Sequence, residues 1–598
     1  MEATAVSQST GSKTIADLLP RAAEKYASQP AVRFKRDGEW HDVTYAQLGE
    51  IVSEIGRGLI DLGIEPHERV CILANTRPEW SYCDFAISAA GATVVPIYQT
   101  NSPSECEWVA GNSEAVAVIC EDAAQLAKIL EVRDRLPHLR ALVVMDPEGD
   151  TGEAIPLDDL RARGRGIEPA RLEERWSAVG PDDPFTFIYT SGTTGPPKGC
   201  VLTHGNYRSV LDMCEGIGVL ESGEITYLYL PLAHSYALLI QLLTFDLGST
   251  LAYFGGDAKQ IVPELAEVKP TYLPSVPRVF EKIYTLAEPS IKEQMGEEKL
   301  RQMVQLGVKV RDLQVHGQEV PPELRQPFGQ LDDQVFKNVR AIFGGRVRQA
   351  VTGAAPIAQD ILEFFYACGV PVLEGYGMTE TATVATYSTV EDHRFGTVGR
   401  ALPGVECRIA DDGELLIRGA NIFSGYHRDA DKSFGAIEDD WLHTGDLATI
   451  DADGYVSITG RKKDIIITAG GKNITPALIE NDLKQSRWIS QAVMHGDRRP
   501  YPVVLITLDP DEAAPLAAEA AVEEADLATL SKDPRVRDVI AAVVAKVNAG
   551  YAQVEQVKKF AILDHDLSQE TGELTPTLKV KRNVVNEKYS DIFDSLYA

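Results

Sequence analysis

Phosphate-binding chemistry is concentrated in residues 185–199, FTFIYTSGTTGPPKG. Thr190, Ser191, Thr193 and Thr194 supply hydroxyls, Gly192, Gly195 and Gly199 permit unusual backbone angles and close approach, and Lys198 supplies a point charge. Successive backbone N–H groups in such a turn form an anion-binding nest, whose natural guest is a triphosphate. Pro196 and Pro197 stiffen the exit. The Walker loop, G-x-x-x-x-G-K-[ST], is excluded, because Lys198 follows a proline, precedes Gly199 and has no Ser or Thr directly after it to hold magnesium.

Five further segments carry polar groups suited to the same kind of ligand. Residues 374–380, EGYGMTE, follow the apolar run 370–373 and so sit at a strand end, where open α/β sheets bind ligands. Residues 352–356, TGAAP, form a second small-residue turn. Asp446 stands in HTGD, Arg461 in GRKKD, and residues 575–582, TPTLKVKR, offer Lys579 and Lys581 as cations. Each has an ordinary reading as well: a solvated surface Glu, a turn-stabilising Asp, a surface salt bridge for Arg.

The motif at 190–199, with YGMTE at 376–380 and the other segments in order, resembles the adenylate-forming superfamily of acyl-CoA synthetases, luciferases and peptide-synthetase adenylation domains. The passages PLAHSYALL (231–239), WLHTGDL (441–447) and GRKKDIIITAGGKNI (460–474) resemble bacterial long-chain fatty acyl-CoA synthetases in particular. The resemblance implies a large, multi-layered α/β N-terminal domain with a small β-subdomain, and a small mobile α+β C-terminal domain.

It also implies roles. ATP contacts are Thr190, Ser191, Gly192, Thr193, Thr194, Gly195, Lys198, Gly353, Ala354, Glu374, Gly375, Tyr376, Gly377 and Thr379, with Tyr376 on adenine and Asp446 and Arg461 on ribose. Glu380 binds magnesium, and Lys579, Thr379 and Glu380 are catalytic, Lys579 bridging carboxylate and phosphate. Family members usually carry Gly before this lysine; here Leu578 stands there, although the K-x-x-R spacing to Arg582 is kept. Lys463 occupies the hinge position, His234 lines the acyl or nucleotide entrance, and Gly470, Gly471 and Lys472 flank coenzyme A. Leu238, Leu239 and Ile240 fit an acyl tunnel or a plain core helix equally. The implied reaction joins a medium- to long-chain fatty acid to coenzyme A through acyl-AMP, with ATP and magnesium. The alternatives are a fatty acyl-AMP ligase that loads a carrier protein, and a non-catalytic nucleotide or acyl binder.

Composition sets outer bounds. A net charge of −30 disfavours nucleic acid, whose phosphates are bound chiefly by Lys and Arg. The eight cysteines show neither CxxC pairs nor zinc spacing and read as buried thiols. No secretory signal and no apolar run of membrane-spanning length is apparent, so a cytoplasmic location is expected; membrane-surface contact and a homodimer stay open.

The elements that must position these residues alternate. Strands are predicted at 70–73, 93–98, 116–120, 142–145, 185–189, 227–230 and 271–273, with helices at 14–26 and 80–89. Residues 286–334 read as a helical insertion or surface elaboration, and a hairpin turns at Asp453–Gly454. Strands are expected at 492–495 and 503–508 and an Ala/Glu-rich helix at 515–530. The domains divide as 1–460, hinge 461–464 and 465–598.

Overall fold

Two large, mainly parallel sheets form the centre of the computed structural model, which describes residues 9–149, 151–190, 196–575 and 578–598. In one, six parallel strands run in the order Pro184–Thr190, Thr93–Ile97, Arg69–Leu73, Ala117–Cys120, Ala141–Val144 and Ile155–Pro156. Lys198–Thr203 and Gly425–Tyr426 extend it antiparallel beyond Pro184–Thr190. The other has the parallel strands Val372–Tyr376, Gln349–Thr352, Tyr272–Ser275, Ile225–Leu228, Thr250–Tyr253 and Pro30–Arg36, with antiparallel strands at both ends.

The helices Pro78–Ala89 (PEWSYCDFAISA) and Ser235–Asp246 (SYALLIQLLTFD) lack a polar stripe and are buried nearly all round. Such helices need cover on every side, and they form the layer between the sheets. Within it the Asp84 carboxyl, pushed up to about 7 by burial, accepts from Gln241 Nε2 at 2.7 Å. Leu238, Leu239 and Ile240 belong to this core.

A second core covers the far face of the nine-stranded sheet. Residues 286–334 are helical as expected, but they are no surface elaboration: Leu300, Met303, Val310 and Phe328 are buried in that core. The first of these helices, Pro277–Met295, begins upstream of the expected insertion. Glu297–Val315 approaches Gln359–Cys368 so closely that a Cβ on Gly307 would lie 2.5 Å from the Ala367 Cβ.

The hairpin Trp441–Ile450/Val456–Arg461 sits in a separate five-stranded sheet. A 3-10 turn, Lys462–Asp464, leads to a unit with its own cores, around Ile489, Val504, Ile506 and Ile540 and around Leu505, Val585 and Phe593. Its central sheet orders Ile489–His495, Val503–Leu508 and Lys559–Ile562.

Some expected elements shift. The first helix starts at Leu18, because Asp17 ties back Thr14 through its N–H at 2.9 Å and leaves Ile15 in a turn. The expected strand at 227–230 is Ile225–Leu228, and the strand before EGYG runs through it to Tyr376. The 515–530 helix is split into Ala513–Glu519 and Leu527–Leu530. Between them Ala521 turns to a φ of 53° and Asp526 caps the second piece, its carboxylate accepting from Thr529 N–H at 2.9 Å.

Candidate active site

The phosphate-loop segment bridges a β-hairpin in which Thr190 faces Lys198 across the strands. Ser191, Gly192, Thr193, Thr194 and Gly195 lie outside the described residues. The exit is braced from the helix Pro103–Asn112, where Trp108 Nε1 donates to the Pro197 carbonyl at 2.8 Å. The Lys198 ammonium stands 4.7 Å from the centre of the Tyr426 ring. Burial lowers its pKa, with Lys432 and Lys463 adding repulsion and Glu380 and Asp429 opposing.

Tyr426 reaches this place because Gly425–Tyr426 pairs antiparallel with the hairpin's second strand. Its hydroxyl donates to Glu380 Oε1 at 2.7 Å, so one ring fixes both the lysine and the carboxylate. Nothing in the local sequence marks Tyr426: a Gly-Tyr pair before an Asp-rich segment carries no chemical signal of its own. Glu380 is only 7% exposed, in the 3-10 turn Thr379–Thr381 beside the equally buried Thr379. Gly377 is required here for close approach, since a Cβ would fall 2.0 Å from the Thr383 carbonyl oxygen.

Tyr376 and Arg461 converge on Asp446. The Tyr376 hydroxyl donates to Oδ2 at 2.6 Å and Arg461 Nε to Oδ1 at 2.9 Å. Asp446 and Arg461 face each other across the hairpin, so strand register brings together residues that the sequence separates by a turn. Both are salt-bridged, yet Asp446 is buried, which is no surface pair.

The second small-residue turn leaves the end of Gln349–Thr352, where Thr352 is in register with Glu374. A Cβ on Gly353 would meet nothing nearer than the Gly375 carbonyl oxygen at 3.8 Å and the Tyr236 ring at 3.9 Å, so the turn borders open space. Ala354 adopts a φ of 69°, and Gly375 pairs with Tyr387 on the adjoining strand. The Glu374 carboxyl, walled by protein though partly open to water, is pushed up to about 8 by desolvation.

Lys579 arrives from the C-terminal unit. Its N–H donates to Thr575 Oγ1 at 3.0 Å, and its carbonyl accepts from Thr575 N–H at 2.8 Å. Arg582 anchors the loop by donating to both carboxylate oxygens of Glu480, at 2.7 and 2.8 Å, and to the Met494 carbonyl at 3.0 Å. The K-x-x-R spacing thus sets a cation that reaches the cleft beside a staple that fixes its loop. Lys579 stays open to water, but the cleft walls lower its pKa, Arg461 adds repulsion, and Asp446 and Glu380 oppose it. His234 lies in the same field, pushed down to about 3 by burial and then by Lys579. Its Nδ1 accepts from Tyr236 N–H at 3.2 Å as the cap of Ser235–Asp246, so the neutral ring carries its proton on Nε2.

Leu578 adopts a φ of 59°, the left-handed region, and is 59% exposed. A branched side chain there costs about 1–2 kcal/mol, partly offset by the greater unfolded-state freedom of Gly. Leu578→Gly is therefore expected to be neutral or to stabilise by up to about 1 kcal/mol, and Leu578→Val to destabilise. Thermal unfolding checks this; a glycine variant that melts earlier would mean that the loop does not hold this conformation.

Gly470, Gly471 and Lys472 are not brought to the cluster. They lie on the exposed turn between Ile466–Ile467 and Asn473–Ile474, where Lys472 pairs with Glu555 at 3.6 Å. Lys463 sits in the 3-10 turn after Arg461, close enough to Lys198 to repel it.

Residues 19–427 match the AMP-binding enzyme family, and residues 463–598 match the AMP-binding enzyme C-terminal domain. The chain belongs to the AMP-binding enzyme family. It is 40% identical over 569 residues to the long-chain-fatty-acid–CoA ligase FadD15 of Mycobacterium bovis, covering 94% of this chain and 93% of that protein. It is 34% identical over 620 residues to the long-chain-fatty-acid–CoA ligase ACSBG2 of Xenopus laevis, covering 98% and 84%. Among solved structures, the anthranilate CoA ligase AuaEII in complex with anthranoyl-AMP superposes with a TM-score of 0.74 at 20% identity, covering 97% of this chain and 98% of that one. The fold is accordingly a large N-terminal α/β domain with a small C-terminal domain.

In this AMP-binding enzyme the arrangement suits an anionic nucleotide beside a second anionic group. Lys198, Arg461 and Lys579 surround the cleft with positive charge, while Glu380 and Asp446 supply acceptors. The donor set also fits magnesium that arrives with a triphosphate. Such an ion is usually held by one or two carboxylates plus phosphate oxygens, and the described residues contain no cluster of three acidic, His or Cys ligands that would make a self-sufficient cage. Among the described residues, no helix is long and apolar enough to cross a membrane.

Proposed function

We propose that the chain is a fatty acid–CoA ligase of medium- to long-chain preference, working through acyl-AMP. The observation that carries the reading is the arrival of Lys579, from the C-terminal unit, in the cleft that holds Glu380, Asp446, Arg461 and His234. A nucleotide or acyl binder needs no cation delivered from a second body.

In the first step a carboxylate oxygen bonds to the α-phosphorus and pyrophosphate leaves. The loop with Lys198 holds the departing phosphates, Asp446 and Arg461 hold the ribose, Tyr376 and the Gly353–Ala354 turn frame the adenine, and Lys579 bridges carboxylate and α-phosphate. Glu380, with Thr379 on the phosphates, would hold magnesium, which neutralises charge on the phosphate oxygens. In the second step the thiol sulfur of coenzyme A bonds to the acyl carbon, AMP leaves with the bond electrons, and the thiol proton passes to solvent. We assign 1–460 to nucleotide and acyl binding, 461–464 with Lys463 to a hinge, and 465–598 to the moving domain. Rotation withdraws Lys579 and brings Gly470, Gly471 and Lys472 beside the pantetheine arm, where bare backbone leaves room. His234 borders the acyl entrance. The use of ATP and coenzyme A supports a cytoplasmic location.

A long-chain preference is supported by the named relatives, both called long-chain ligases. Each buried methylene is worth about 0.8 kcal/mol, or about fourfold in affinity. Pyrophosphate release with ATP and magnesium, from acetate upward and with or without coenzyme A, is therefore expected to rise with chain length and to yield acyl-CoA. Adenylate that accumulates without response to coenzyme A would favour a carrier-loading acyl-AMP ligase. Silence across the series would remove the reading.

A further inference from the structure

The helix Pro277–Met295 grows out of the segment PSVPRVFEK and meets the C-terminal unit with its first turns. Arg278, Glu281 and Lys282 share one face by their i, i+3, i+4 spacing. The Arg278 guanidinium pairs with Asp509, and Lys282 Nζ lies 2.8 Å from Asp511 Oδ2. Both aspartates belong to one turn at the end of the central strand Val503–Leu508. Asp509, 8% exposed at its side chain, caps the 3-10 turn Pro510–Glu512 by accepting from Asp511 N–H at 3.0 Å. Arg487 braces the same turn through Glu512. Glu281 lies under the interface: burial pushes its carboxyl up, while Arg278 and Lys484 of the C-terminal helix Pro476–Lys484 pull it back.

These pairs join two bodies whose cores are separate. The body that carries Asp509 and Asp511 also carries Lys579, so an orientation that makes the pairs is one that delivers the lysine. On the other side the helix starts directly after Tyr272–Ser275, whose Ser275 is in register with Thr352 at the edge of the Gly353 turn. The contact therefore lies one strand away from the cleft.

We propose that Arg278 and Lys282 are positioning residues, an electrostatic latch that holds the C-terminal unit in the adenylate-forming orientation and opens before thioester formation. The inference rests on the two-step reading above. Interactions made in one orientation only shift the population toward it; the Lys282–Asp511 pair is solvent-exposed on both sides and the Arg278 side of the other pair is half-exposed, so the latch is weak enough to open in every cycle.

The test measures ATP–pyrophosphate exchange with a long-chain fatty acid and, separately, acyl-CoA formation from supplied acyl-AMP. Arg278→Glu with Lys282→Glu is expected to slow exchange about tenfold and to leave the thioester step at or above the parent rate. Lys282→Glu alone gives a smaller loss, which Asp511→Lys restores by reversing the pair; high salt weakens exchange in the parent more than in the double variant. Unchanged exchange, equal loss of both half-reactions, or failure of Asp511→Lys to restore Lys282→Glu overturns the latch. A parent chain inactive in both half-reactions removes the ligase reading instead, so the two failures are distinguishable.

Discussion

Lys579→Ala is expected to abolish acyl-AMP formation, by about 10²- to 10³-fold or more, while acyl-CoA formation from supplied acyl-AMP stays near the parent rate. The asymmetry follows from where the charge is needed. In the first step, negative charge gathers between the carboxylate and the α-phosphate, and Lys579 is the cation that the C-terminal unit delivers beside Arg461, Asp446 and Glu380. On the two-orientation reading proposed above, that unit has turned away in the second step. Because the cleft lowers the pKa of Lys579, adenylate formation should also decline with rising pH earlier than an ordinary lysine would allow, losing rate as the ammonium deprotonates. Lys579→Arg should remove that decline even where it slows the step. Equal loss of both half-reactions in Lys579→Ala would overturn the two-orientation reading.

Glu380→Ala should either raise the magnesium concentration needed for half-maximal rate by an order of magnitude or more, or remove activity. The carboxylate is 7% exposed and is held by the Tyr426 hydroxyl, whose ring also carries Lys198. On the proposed assignment its loss takes away a hard oxygen ligand for magnesium, and it also frees Tyr426 to move the lysine. A magnesium titration separates the two effects, since a displaced lysine lowers the rate at saturating magnesium without shifting the midpoint. An unchanged magnesium dependence would show that another group holds the ion.

Local pattern was enough for most strands. Buried parallel strands are covered on both faces and therefore appear as short, continuous apolar runs, as at Arg69–Leu73 and Ala117–Cys120. It was not enough for residues 286–334, where charged, helix-prone sequence looked dispensable. Their buried side chains show that a sparse apolar stripe suffices when a sheet face needs cover. Nor could composition divide the 515–530 helix, because the Asp526 cap acts against helix continuity only once the piece behind it turns.

The sequence by itself determined the family and the chemical inventory: the phosphate loop, Glu380, Asp446, Arg461 and Lys579 are distinctive because their neighbours in the chain are distinctive. It also marked Leu578 as unusual, and the backbone supplies the reason in a left-handed φ. Tertiary structure alone decided that Tyr426 joins Lys198 to Glu380, that Arg582 staples the Lys579 loop to Glu480, and that Arg278 and Lys282 meet Asp509 and Asp511. These contacts join residues 46 to 231 positions apart, and the partners they add, Tyr426, Glu480, Arg278, Lys282, Asp509 and Asp511, are ordinary in their own surroundings. Only packing and strand register bring such partners within reach, and neither leaves a mark in the local sequence.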